Sequence, residues 1–146
     1  MTSSGHDDTY GIIFPILPHH LQRFFVGRKK VFAKYFGNER IPVRLRVGSR
    51  LFFYESGGNK QVVGEARIVG IESGTHAEVL TRYGDDLFLT PVEFEAYARD
   101  RRAKRMLVLV LEDVKKYAVP LRLNKGLTMA GQYMTREILG ELRRNG

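Results

Sequence analysis

Apolar positions along the chain fall into short blocks separated by turn-forming residues, and the spacing inside each block predicts its element. Residues 11–17, GIIFPIL, form a continuous apolar run closed by Pro18, a length that suits a buried strand. Pro18 opens HHLQRFFV, where Leu21, Phe24 and Phe25 recur at i, i+3 and i+4 and predict a helix. Gly27 stands where a C-cap would take positive φ. Residues 31–36 alternate, with Val31, Ala33 and Tyr35 on one side of a strand and Phe32, Lys34 and Phe36 on the other. Residues 41–48 fit neither period.

Further along, residues 51–56 and 61–71 read as two strands of a hairpin turning at Gly57, Gly58 and Asn59. In the second strand Val62, Gly64, Ala66 and Ile68 make an apolar row, and Glu65 and Arg67 face the other way. Two capping boxes then sign helix starts, Thr75 with Glu78 and Thr90 with Glu93, the second with Pro91 at the first helical position. Each cap contributes about 1 kcal/mol. Residues 106–112 are apolar on both faces, as in the middle of a sheet or barrel. Residues 119–129 read as a loop, and Thr135 as the cap of a last helix ending near Arg143. Strands cluster instead of alternating strictly with helices, which predicts an α+β fold or a small barrel with helices on its rim.

The bulk composition narrows the setting. With 146 residues, 43% hydrophobic and 27% charged, the chain has the makeup of a globular protein. The expected division is a flexible polar tail over residues 1–10 and one domain over 11–146. Without Cys, disulfides, thiolate nucleophiles and cysteine-ligated metal sites are excluded. No run approaches the ~20 apolar residues of a membrane span, and the N-terminus lacks the layout of a signal peptide. A cytoplasmic protein with no membrane partner is the expectation. There is no Ser-His-Asp set, no P-loop and no G-x-G-x-x-G after a strand.

Charge changes the picture most. Between His19 and Arg50 the chain carries Arg23, Arg28, Lys29, Lys30, Lys34, Arg40, Arg44, Arg46 and Arg50 against a single acid, Glu39. The formal net charge of +8 resides in this window, and the remainder is balanced. Segregation of that size points to an anionic partner, nucleic acid first, although Lys and Arg stems also cover ordinary surface and Lys29 and Lys30 complement a helix C-terminus. Tyr35, Tyr54, Tyr83 and Tyr133 are candidates to stack an unpaired base, Tyr54 foremost because it lies beside Glu55 and Ser56 at a strand end. Glu65 is a candidate general base or acceptor for an exocyclic amine, or else the partner of Arg67 or of a base on a neighbouring strand. Gln132, in a run of small residues, is a candidate to read a base edge or to sit in a closing turn. His19 and His20 are adjacent and point about 100° apart on a helix, poor geometry for one metal, so neither a metal nor a cofactor is expected. The basic tract 99–105 reads as a solvated helix end with auxiliary nucleic-acid contact.

The order of these pieces resembles a known superfamily. A strand, a short helix ending at Gly27, GRKKVFAKYF, then VGSRLFFYESGG, VVGEARIVGI and a late TMAGQYMT look like the PUA-like superfamily, which includes PUA, ASCH and EVE domains. The form here is similar to an archaeal group of unknown function, over residues 11–135. The resemblance implies a PUA-like mixed β pseudo-barrel with peripheral helices, and a cleft beside the first helix and second strand in which relatives bind RNA or modified bases. The G-x-K-x-x-x-x-R element that lines this cleft in ASCH proteins is matched by Gly27 and Lys29, with Lys34 in place of the Arg. Some ASCH members hydrolyse acylated nucleosides with a Lys and a Thr three residues on. Counting from Lys29, that position is Phe32, which has no hydroxyl.

These readings converge on an RNA-binding domain. Lys29, Lys30, Lys34, Arg44 and Arg46 are expected to hold phosphates, and Tyr54, Glu65 and Gln132 to line a cleft for a base, modified bases included. The alternatives are a small amidohydrolase acting on a modified nucleoside, with Lys29 and Glu65 as its titratable pair, and an interaction module for a protein of the translation apparatus.

Overall fold

A computed structural model describes residues 9–36, 39–58, 60–123 and 131–145, the last two by backbone alone. Six strands, β1 (Thr9–Ile16), β2 (Val31–Tyr35), β3 (Arg50–Glu55), β4 (Gln61–Gly74), β5 (Met106–Arg122) and β6 (Gln132–Thr135), form one sheet in the order β2-β5-β4-β3-β1-β6. β1 and β3 run parallel and every other neighbouring pair antiparallel. Among the described residues four α-helices accompany it: α1 (Pro18–Phe25), α2 (His76–Tyr83), α3 (Pro91–Ala98) and α4 (Arg136–Asn145). Such a mixed sheet with segregated helices is α+β.

Three strands separate β1 from β2 in the sheet order, yet the sheet curls until these two face each other. The Phe14 ring of β1 stacks on Phe32 of β2 at 5.4 Å and meets Phe36 at 5.8 Å. This is the pseudo-barrel, closed at the β1–β2 seam by side chains instead of a hydrogen-bonded ladder. Alternation along the strands divides two cores. Ile12, Phe14, Ile16, Leu51 and Phe53 point inward with Phe24 of α1 and Phe94 of α3. Ile13, Phe52 and Tyr54 point outward and are covered by Leu139 and Leu142 of α4.

Local chemistry explains most element ends. Both capping boxes are formed, with Thr75 and Thr90 each accepting the amide of the Glu three residues on and receiving its carboxylate in return. The Thr135 hydroxyl accepts the Ile138 amide at 3.1 Å and caps α4. The α1 helix does end at its glycine, but the left-handed residue is Arg28 (φ 58). Gly27 is required for close approach instead, since a Cβ there would lie 2.9 Å from the Arg23 carbonyl oxygen. Gly64 serves similarly: its missing side chain leaves room for the Phe25 ring, which anchors α1 on β4.

Other boundaries differ from the sequence reading. Thr9 pairs with Thr135, so β1 starts inside the stretch expected as tail. Residues 119–122 belong to β5, while 124–129 of the expected loop lie outside the described residues. β4 carries register shifts between Val62 and Gly64 and between Glu65 and Arg67. These bulges break the simple alternation, so Val62 joins the outer core while Val63, Ala66 and Ile68 join the inner one. Among the described residues no helix is long and apolar enough to cross a membrane.

Candidate functional site

Because the seam between β1 and β2 carries no ladder, it opens at one end into a cleft of about 610 Å³. Pro15, Ile16 and Leu17 form one lip and Phe32 and Lys34 of β2 the other. His19 and His20 at the start of α1, Phe88 and Leu89 from the connection before α3, and Glu93, Tyr97 and Arg101 complete the wall. The floor is apolar and aromatic, with Phe88 stacked on Phe24 at 5.4 Å and close to Phe32 at 5.2 Å.

Glu93 holds the two helices of the cleft together. Its carboxylate accepts the Thr90 amide at 2.8 Å as part of the capping box and is gripped by both terminal nitrogens of Arg23 on α1. Arg23 also donates to the Phe88 carbonyl at 3.0 Å. The Arg23 guanidinium holds the Glu93 carboxyl down at about 2, against an ordinary 4.5. The His20 imidazole lies 3.5 Å from Glu93. Burial, together with the charge of His19, lowers its pKa. His19, His20 and Glu93 bring ligand atoms within 4.8 Å of one another, but both Glu93 oxygens are already bonded to Arg23. A cation there would have to displace the guanidinium.

Two cations are placed differently. Lys34 is desolvated, its Nζ 5.8 Å from the Phe14 ring centroid, and burial first, then the charge of Arg101, lowers its pKa. Arg101 lies over the Tyr35 and Tyr97 rings at 4.5 and 4.8 Å and donates to the Tyr97 carbonyl. Among the described residues neither has a carboxylate partner. The Tyr97 hydroxyl accepts the Tyr35 amide at 2.9 Å and fixes α3 to β2 beneath them. A cleft with an apolar floor and two unneutralised cations at one end is suited to a flat, partly anionic ligand.

Of the residues expected from the sequence to hold phosphates or a base, only Lys34 lines this cleft. Lys29 and Lys30 lie at the other end of α1, in a separate groove with Arg28, Glu112 and Asp113. There the Lys29 ammonium donates to the Asp85 carbonyl, and both acids are paired with Arg67. Arg44 and Arg46 belong to the β2–β3 connection, where the Arg44 guanidinium lies 4.8 Å from the Tyr133 ring centroid and Arg46 is exposed. Tyr54 is only 6% exposed, packed in the outer core, and offers no face to a base.

Glu65 is likewise on the outer face. Arg50 of β3 binds it at 2.7 Å and the Tyr117 hydroxyl donates to it at 2.7 Å. Burial, with that bond behind it, pushes the Tyr117 hydroxyl well up. Lys29 and Glu65 therefore do not form a pair. Gln132 is exposed on the edge strand β6, opposite Ile13. Of the other tyrosines, Tyr35 is buried and Tyr83 donates to Glu72. Sequence reasoning missed Phe88, Leu89, Tyr97 and Arg101 as cleft residues. The signal for the first two was a short apolar run, residues 87–89, between acids and a capping Thr.

Comparison with known proteins places this geometry. Residues 9–136 match the family described as Domain of unknown function (DUF365). The uncharacterized protein MJECS03 of Methanocaldococcus jannaschii is 26% identical over 95 residues, covering 58% of this chain and 88% of that protein. Among solved structures, ASCH from Zymomonas mobilis superimposes with a TM-score of 0.76 at 20% identity, over 92% of this chain and 94% of that one. The N-terminal domain of Staphylothermus marinus McrB follows at 0.59 and 14%, over 94% and 95%. The fold is therefore that of the Zymomonas mobilis ASCH structure, and the chain belongs to the DUF365 family.

Proposed function

We propose that this protein is an RNA-binding module that takes one unstacked base or nucleotide into the β1–β2 cleft. The observation that carries the reading is the placement of Lys34 and Arg101, two cations without carboxylate partners among the described residues, beside an aromatic floor in a cleft of about 610 Å³. A base fits between apolar walls, and a phosphate or ring carbonyl meets the cations. The likeness to ASCH domains supports the kind of domain; the ligand is argued from the cleft.

Filter binding of a mixed-sequence RNA at two salt concentrations tests the reading. Affinity falls with rising salt as phosphate contacts release counterions, and Lys34→Glu weakens binding by about tenfold or more, on the scale of losing a charge-assisted contact. Lys30→Glu, in the separate groove, has a smaller effect. No binding at low salt, or equal binding by the Lys34 variant, overturns it.

A second reading rests on the same lysine. An amine with a lowered pKa in an apolar cleft is suited to proton transfer, so the cleft could also process an acylated nucleoside. Turnover of N-acylated cytidines, lost on Lys34→Met, supports that version, and no turnover across a nucleoside panel rejects it.

A further inference from the structure

Past the end of β2 lies a second hollow of about 390 Å³, lined by Phe36, Arg40, Ile41, Pro42, Val43 and Tyr133. We infer that this hollow is a subsite for the nucleotide adjoining the one in the cleft, so that the ligand is a single strand and not a free nucleotide. The inference rests on the reading just given and names the substrate class for it.

Continuity comes first. Lys34 lines the cleft and Phe36 the hollow. They project from the same side of the chain two residues apart, about 7 Å along a strand. Both meet the same Phe14 ring, Lys34 from 5.8 Å and Phe36 from 5.8 Å. Cleft and hollow therefore neighbour each other across Lys34 and Phe36.

The chemistry of the wall comes second. The connection between β2 and β3 alternates basic and apolar residues, Arg40, Ile41, Val43, Arg44, Arg46 and Val47, with Glu39 its one acid. Val43 is 91% exposed and Val47 65%, so both side chains are open to a ligand. The segment is held in place, since the Arg44 amide donates to the Tyr133 hydroxyl at 3.3 Å and its guanidinium lies 4.8 Å from that ring. A fixed aromatic ring backed by a cation and flanked by apolar residues stacks a base, and the excess of arginine over acid in this connection favours a polyanion over a protein partner.

The test compares a mixed-sequence hexaribonucleotide with a mixture of the four nucleoside monophosphates, each titrated against the full chain. Wild type binds the hexamer at least about tenfold more tightly, the scale of one added stacking contact. Tyr133→Leu and Val43→Asp abolish that advantage and leave mononucleotide binding within about twofold. Val43 is exposed, so its variant reports even if Tyr133→Leu does not fold. Val119→Asp makes the same charge change at an exposed β5 residue and keeps the advantage. A hexamer advantage that survives Val43→Asp, that is lost equally in Val119→Asp, or that is absent from wild type overturns the inference while cleft binding stands. Loss of both ligands in Lys34→Met, beside intact binding of both in wild type, is the signature of the cleft itself. A wild type that binds neither ligand rejects cleft and subsite together.

Discussion

Lys34 is the residue on which the account turns, because it is held where a lysine is poorly solvated. Its lowered pKa means that the charged form is disfavoured by the fold. The sign follows directly. Below the folded-state pKa the buried ammonium destabilises the protein, and stability recovers as pH rises through that value toward 10.5. Lys34→Met is therefore expected to raise the thermal midpoint near neutral pH, flatten this alkaline limb and weaken RNA binding. A lysine retained for stability would give the opposite change in midpoint. Glu93 runs the other way. Its carboxyl is held at about 2 against 4.5, so its contribution to stability is present above pH 4.5 and lost as pH falls toward 2. Urea midpoints measured across that window should drop in wild type and change less in Glu93→Gln.

At the scale of elements, the two capping boxes were legible because they are contained in four residues each, and the structure forms both. They are not equivalent. The Thr75 box ends on the surface, whereas Glu93 of the Thr90 box also grips Arg23 and so sets the spacing of α1 and α3 across the cleft. Thr75→Ala and Thr90→Ala should each cost about 1 kcal/mol in chemical denaturation. Only Thr90→Ala should also weaken RNA binding. What the sequence hid was non-local. The bulges of β4, which send Val62 and Val63 to different cores, are set by pairing with β5, and nothing in the row of small residues announces them. The strand β6 spans four residues and exists through its ladder with β1, so its local pattern reads as a turn.

For the whole molecule, the chain's own charge pattern located a basic third but not its arrangement. Folding sends Lys29 and Lys30 to one end of α1, Arg44 and Arg46 to the β2–β3 connection, and Lys34 alone into the cleft. The partner of Lys34 is Arg101, from a tract that reads in sequence as a solvated helix end. The packing of α3 on β2, fixed by the Tyr97 hydroxyl accepting the Tyr35 amide, brings the two to one cleft, and no local pattern encodes that meeting. Tyr54 and Glu65 were read as cleft residues because strand alternation assigns a face without saying which face is the cleft; both turned outward beneath α4. Binding through Lys34 and Arg101 predicts a log–log salt slope of at least about −1.4 for two phosphate contacts on single-stranded RNA, measurable by filter binding.

The most direct measurement is an amide chemical-shift map of the full chain titrated with a nucleoside monophosphate mixture. The account predicts perturbations centred on Leu17, His20, Lys34, Leu89, Tyr97 and Arg101, absent in Lys34→Met. Perturbations centred instead on Arg50, Glu65 and Tyr117, or on Arg28, Lys29 and Lys30, would contradict it.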